Sequence, residues 1–143
     1  MTVRDATAAD AADVAGLLGE LGYPTTADEA ADRLGRNDGR VLLAESDGRV
    51  VGLAVLAVAS QLHHAAPTAR VTALVVGEPA RGRGAGRRLM ARAEELAREA
   101  GCHEIELTSG IRLEREAAHR FYEALGYERT SYHFHRRLGG GEC

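Results

Sequence analysis

The chain has 143 residues, with 18 basic against 21 acidic side chains, a net charge of −3 and 45% hydrophobic residues. That length suits one domain with a sizeable core, and the mildly acidic balance excludes a general nucleic-acid binder. Two distant cysteines, Cys102 and Cys143, make neither a disulfide framework nor a metal ligand set, so a cytoplasmic protein without a metal is expected. The longest apolar run, residues 50–59, is about half the ~20 residues a membrane helix needs. The first twenty residues carry Asp5, Asp10, Asp13 and Glu20, so neither a membrane span nor a signal peptide is expected.

Residues 1–4 read as a short strand. Thr7 or Asp10 can cap a helix whose apolar positions Val14, Leu17, Leu18 and Leu21 fall at helical spacing and which Gly22 and Pro24 stop. Thr26 with Glu29 forms a capping box for a second helix over 27–34. Residues 41–45 and 50–58 are strands joined through Ser46, Asp47 and Gly48, a hairpin signal. A loop over 60–67 leads to a strand over 69–76. Gly77 to Ala80 break it, and a helix comes next with Leu89, Ala93, Leu96, Ala97 and Ala100 on one face and Gly101 at its end. Residues 103–108 alternate like a strand. Residues 114–125 form a helix with Ala118, Phe121, Tyr122 and Leu125 on one face, ended by Gly126. Residues 127–138 read as a last strand or hairpin, and 139–143 as a loose tail. The order β-α-α-β-β-β-α-β-α-β describes one mixed α/β (α+β) domain over 1–138.

The chemistry concentrates between the strand at 69–76 and the helix after it. Arg81-Gly-Arg-Gly-Ala-Gly86 opens that helix, and a helix start with bare amides attracts anions. Arg81, Arg83, Arg87 and Arg88 add full charges. A P-loop is excluded because the chain has no lysine. A dinucleotide fingerprint begun at Gly82 needs a glycine where Arg87 stands.

The run from Arg81 to Gly86 does match Arg/Gln-x-x-Gly-x-Gly/Ala, and Ala118-His-Arg-Phe-Tyr-Glu-Ala-Leu-Gly-Tyr127 matches a second pattern, A-x-x-F-Y-x-x-x-G-F/Y. With these two motifs the chain resembles the GNAT superfamily of N-acetyltransferases. The resemblance implies a mostly antiparallel central sheet with helices on both faces, acetyl-CoA as donor and a primary amine as acceptor. It implies that Arg81, Gly82, Arg83, Gly84, Ala85, Gly86 and Arg87 hold the pyrophosphate. It also implies that the backbone of Leu74, Val75 and Val76 pairs with the pantetheine arm, which requires the strand at 103–108 to diverge from it. Tyr122 aligns with the family's proton donor; an ordinary phenol, with pKa ~10, is protonated at neutral pH. Leu74 or Val76 would offer its amide to the thioester carbonyl.

Two departures stand out. No carboxylate lies in residues 68–76, so the deprotonation route stays open among a water chain, Glu20, Glu104, Glu106, His63, His64 and an acceptor of lower pKa. An asparagine frequent in relatives is absent, leaving Ser109, Arg112 or His119 to contact the donor. His133-x-His135 reads as structural. The acceptor is expected to be a small amine such as an aminoglycoside-like drug, polyamine or amino metabolite, drawn by carboxylates near Glu20 and Asp28. A protein amine, or a non-catalytic acyl-CoA sensor, stands as the alternative, and a homodimer is compatible with either.

Overall fold

The computed structural model describes residues 1–108 and 116–139. The chain divides into two compact units, Met1–Leu107 and Thr108–Cys143. The first is built on a five-stranded sheet of β1 (Thr2–Asp5), β2 (Arg40–Ser46), β3 (Arg49–Ala59), β4 (Thr68–Val76) and β5 (Glu104–Leu107), in that spatial order. The first four strands pair antiparallel, and β5 joins β4 in parallel. The hairpin expected at Ser46 to Gly48 forms, with Asp47 at φ 51° and Gly48 at φ 75°, both in the left-handed region that two-residue hairpin turns need.

Three helices belong to this unit: α1 (Ala11–Leu21), α2 (Ala27–Arg36) and α3 (Ala85–Glu99). Strand alternation divides them between the two faces of the sheet. Leu43, Leu53 and Val75 join Val14, Ala15 and Leu17 of α1 and Ala30 of α2 in one buried cluster. Leu42 and Ala44 point the other way, towards α3, whose Leu89, Met90 and Ala93 are fully buried. Gly52 sits under that helix: a Cβ there would stand 3.1 Å from Leu89 Cδ1 and 3.3 Å from the Val75 carbonyl. The capping box at Thr26 is present, with Glu29 N–H donating to Thr26 Oγ1 at 3.1 Å and Thr26 N–H to Glu29 Oε1 at 2.9 Å. None of the helices among the described residues is long and apolar enough to cross a membrane.

Asp10 staples the start of α1 to the sheet edge. Its carboxylate accepts two bonds of 2.9 Å from the Arg4 guanidinium and one of 2.7 Å from the Thr7 amide. Those bonds to Arg4, opposed in part by burial, hold the Asp10 carboxyl well below the usual carboxylate range. A folded-state pKa that is depressed gives stability that is complete above the unfolded value, ~3.9, and is lost as pH falls beneath it. Asp10→Asn should therefore cost about 2 kcal/mol at neutral pH, and the gap from wild type should narrow below about pH 4. Urea unfolding at several pH values measures this; a gap independent of pH would remove the charge from the explanation.

In the second unit, α4 (Glu116–Ala124) carries the second motif. The expected last strand is not formed: among the described residues, 127–139 carry no strand, and Tyr132, Phe134 and Leu138 are about nine-tenths exposed. Alternation in the sequence supplies strand propensity, but a strand exists only through its partner, and an isolated hairpin is marginal in water.

Candidate functional site

The site in the first unit begins where β4 leaves β5. On one side β4 pairs with β3 along its whole length, from Thr68 opposite Ala59 to Val76 opposite Gly52. On the other it meets β5 only from Thr68 opposite Glu104 to Val71 opposite Leu107. The separation coincides with a bulge, since Leu56 faces Val71 while Val55 faces Ala73, leaving Thr72 as the extra residue. A bulge bends the strand and re-aims the residues beyond it. Past that point the β5 side of β4 has no partner strand among the described residues, because β5 pairs with β4 over its whole length and ends at Leu107.

One hydrogen bond fixes which backbone groups face that open side. Gly77 N–H donates to the Val51 carbonyl at 2.8 Å, so Gly77 and Val75 direct their polar groups towards β3. Leu74 and Val76 then direct theirs outward, by the alternation of an antiparallel ladder. The outward Val76 carbonyl accepts from Arg81 Nε at 3.0 Å. The edge therefore offers the amide and carbonyl of Leu74 and the amide of Val76.

The turn continues from this edge. Pro79 stands inside a short 3-10 turn, Glu78–Ala80, then Gly82 and Gly84 adopt φ 81° and 87°. Other residues pay about 1–2 kcal/mol in this left-handed region. Among the described residues, chain neighbours aside, nothing lies within 4 Å of a Cβ built on either one, so backbone conformation, not crowding among them, requires glycine. Helix α3 begins at Ala85, and its ladder opens with Arg88 N–H to the Gly84 carbonyl at 3.1 Å. The amides of Ala85, Gly86 and Arg87 precede any intrahelical acceptor, and Gly84 has no side chain to cap them. They form an anion site flanked by the exposed Arg83 and Arg87. Arg88 does different work, donating to the Met1 carbonyl at 3.1 Å.

Glu20, at the end of α1, holds the turn from the opposite face. Its Oε1 accepts from the Glu78 amide at 2.9 Å and lies 3.6 Å from the Arg81 guanidinium. That engagement makes Glu20 a latch on the turn. Glu20→Gln retains an acceptor for the amide and removes only an exposed ion pair worth about 0–1 kcal/mol. Turnover should stay within about threefold of wild type; a collapse of kcat alone would restore Glu20 as the base. The other side-chain bases lie elsewhere. Glu106 pairs with Arg70 at 2.8 Å. His63, His64 and Glu104 gather at the start of β4 and β5, about 26 Å from Val76 by strand rise.

A groove of about 670 Å³ borders the turn on the α1 side. Asp13, Glu20 and Asp47 line it together with Arg49, Arg83 and the chain's amino terminus. Side chains of both signs therefore line this groove, Glu20 among them.

In the second unit, Tyr122 is positioned by the way α4 ends. Gly126, at φ 95°, donates to the Glu123 carbonyl, and Tyr127 N–H donates to the Tyr122 carbonyl at 3.0 Å. This paired closure is a Schellman stop, in which the residue after the glycine packs back on the last turn. Accordingly the Tyr127 ring meets that of Tyr122 edge-on at 6.1 Å, and Phe121 meets it at 5.3 Å. The spacing of the second motif is thus a device that stops a helix and orients a phenol. His119 is half-buried on the same helix. Ser109 and Arg112 lie outside the described residues. The sequence carried no sign of the Thr72 bulge, because Thr72 interrupts neither polarity nor strand propensity. The Glu20 latch, 58 positions from its amide partner, was equally unmarked.

The sequence model of the acetyltransferase (GNAT) family matches residues 13–127, and the chain belongs to that family. It is 37% identical to an aminoalkylphosphonate N-acetyltransferase of Salmonella typhimurium over 95% of this chain and 90% of the relative. It is 35% identical to an aminoglycoside N(6')-acetyltransferase type 1 of Stenotrophomonas maltophilia, over 90% and 87% respectively. A solved protein of Agrobacterium tumefaciens superposes with a TM-score of 0.85 at 28% identity, over 96% of this chain and all of that one. These findings make the protein an N-acetyltransferase.

Proposed function

We propose that the protein transfers the acetyl group of acetyl-CoA to the primary amine of a small molecule. The observation that carries this reading is the continuity of the β4 edge with the anion site at the start of α3. One surface offers strand-like pairing to an amide-bearing arm and, immediately beyond, amides to a pyrophosphate. Acetyl-CoA has both parts in that order, and it supplies an activated thioester.

The chain's own residues then divide the work. The amides of Ala85, Gly86 and Arg87, with the Arg83 and Arg87 side chains, bind the phosphates. The Leu74 amide and carbonyl orient the pantetheine arm, and the Val76 amide donates to the carbonyl oxygen as negative charge develops there. The Arg81 bond to the Val76 carbonyl restrains the following peptide, Val76–Gly77, and so braces the residue that carries that amide. The amine forms the new C–N bond as the C–S bond breaks; Tyr122 donates its proton to the departing sulfur. The amine's proton leaves through water, in keeping with the lack of a carboxylate on β4 and the engagement of Glu20. Ser109 and His119 are assigned to secondary contacts with the donor.

The acceptor class rests on the two curated relatives, whose names specify an aminoalkylphosphonate and an aminoglycoside. An assay of CoA thiol release against aminoalkylphosphonates, aminoglycosides, polyamines and amino-acid amides tests the reading. Turnover with at least one small amine is expected. Tight acetyl-CoA binding with release from none of them would favour a sensor, and release only with peptide amines would favour a protein acceptor.

A further inference from the structure

At the end of the sheet remote from the glycine turn, the loop over residues 60–67 and the start of β5 bring together His63, His64, His103 and Glu104. The donor atoms of His64, His103 and Glu104 all lie within 4.8 Å of one another. The His64 ring stands 4.7 Å from that of His103, and His63 packs on His64 at 4.2 Å. We propose that His64, His103 and Glu104 form a binding site for a divalent transition-metal ion that fastens the 60–67 loop to β5.

The orientation of His103 supports this beyond mere proximity. Its Nδ1 lies 3.3 Å from the Pro67 carbonyl, which also accepts the His103 amide at 3.1 Å. A carbonyl only accepts, so the Nδ1 hydrogen points to it, and in the neutral ring this tautomer leaves the Nε2 lone pair for a metal. A ring nitrogen bonded to a backbone carbonyl is the outer-sphere arrangement that holds metal-ligating histidines. Nε2 then faces Glu104 Oε1 at 3.8 Å, two electron-rich atoms with room between them for a shared cation.

The loop that supplies His64 is itself braced. His64 N–H donates to the Gln61 carbonyl at 3.1 Å, and Thr68 Oγ1 lies 3.3 Å from Gln61 Oε1. Two imidazoles and one carboxylate suit Zn²⁺, Co²⁺ or Ni²⁺ better than Ca²⁺ or Mg²⁺. A tetrahedral Zn²⁺ holds its ligand atoms roughly 3.3 Å apart, so small rotations of surface side chains complete the site, with water as fourth ligand. This site revises the expectation of no metal and does not depend on the acetyl-transfer reading.

Isothermal titration of the untagged full chain with Zn²⁺ tests it, alongside His64→Ala, His103→Ala and a His133→Ala/His135→Ala double variant. The double variant removes the other close histidine pair, whose rings are 6.1 Å apart. One Zn²⁺ per chain is expected, weakened about tenfold or more in each single variant and unchanged in the double variant. Circular dichroism confirms that these surface changes leave the fold intact. Absence of binding at about 100 µM Zn²⁺, a value that lies within the range of weak protein–metal sites, overturns the proposal, as does undiminished binding in His64→Ala and His103→Ala. In the first case the cluster is only a set of surface side chains packed together.

Discussion

Tyr122→Phe should lower kcat about a hundredfold or more, the usual worth of a positioned general acid, while the KM for acetyl-CoA stays within about threefold of wild type. The substitution removes one oxygen. It leaves the ring, whose edge-on contacts with Phe121 and Tyr127 accompany the end of α4, and it leaves the Schellman closure, which is made of backbone. A thermal melt beside the steady-state kinetics separates a loss of chemistry from a loss of stability. An unchanged kcat would reduce Tyr122 to a packing residue.

Gly84→Asp should abolish useful affinity for acetyl-CoA, and comparison with Gly84→Asn isolates the reason. Both side chains have the same size and both tolerate the left-handed φ of 87° that Gly84 adopts. Among the described residues, chain neighbours aside, nothing lies within 4 Å of a Cβ at that position. The two side chains differ in a charge placed at the mouth of the anion site. At ~5 Å and an effective dielectric of ~20, repulsion from one phosphate charge is about 3 kcal/mol, on the order of a hundredfold in Kd. Titration calorimetry should show that difference and its contraction as salt is raised. Equal affinity in the two variants would place the pyrophosphate elsewhere.

Much of the frame was legible from local chemistry. Gly22, Gly101 and Gly126 each end a helix as expected, and the amide after each glycine bonds back to the last turn, as Tyr23 does to Leu18 and Cys102 to Ala97. The Thr26 and Glu29 box and the Asp47-Gly48 hairpin were equally plain, because each is decided within four residues. The glycine turn was legible for the same reason: positive φ at Gly82 and Gly84 and an uncapped α3 are local facts. Features decided between distant segments were not. The bulge at Thr72 depends on register with β3, and the Glu20 latch depends on how α1 packs. The strand expected over 127–138 failed in the opposite sense, since local alternation promised a partner that the described residues do not supply. The groove beside the turn was illegible for a further reason: it is lined from several separate segments and has no signature in any one of them.

Whether the acetyl group moves from acetyl-CoA to an amine is decided by tracing it. Acetyl-CoA labelled in its acetyl group is incubated with the protein and an amine from the panel, and the fate of the label is read by mass spectrometry. Label should appear in an amide of the amine, dependent on the wild-type protein and sharply reduced in Tyr122→Phe. Label remaining in acetyl-CoA, or passing only to free acetate with every amine, would contradict acetyl transfer.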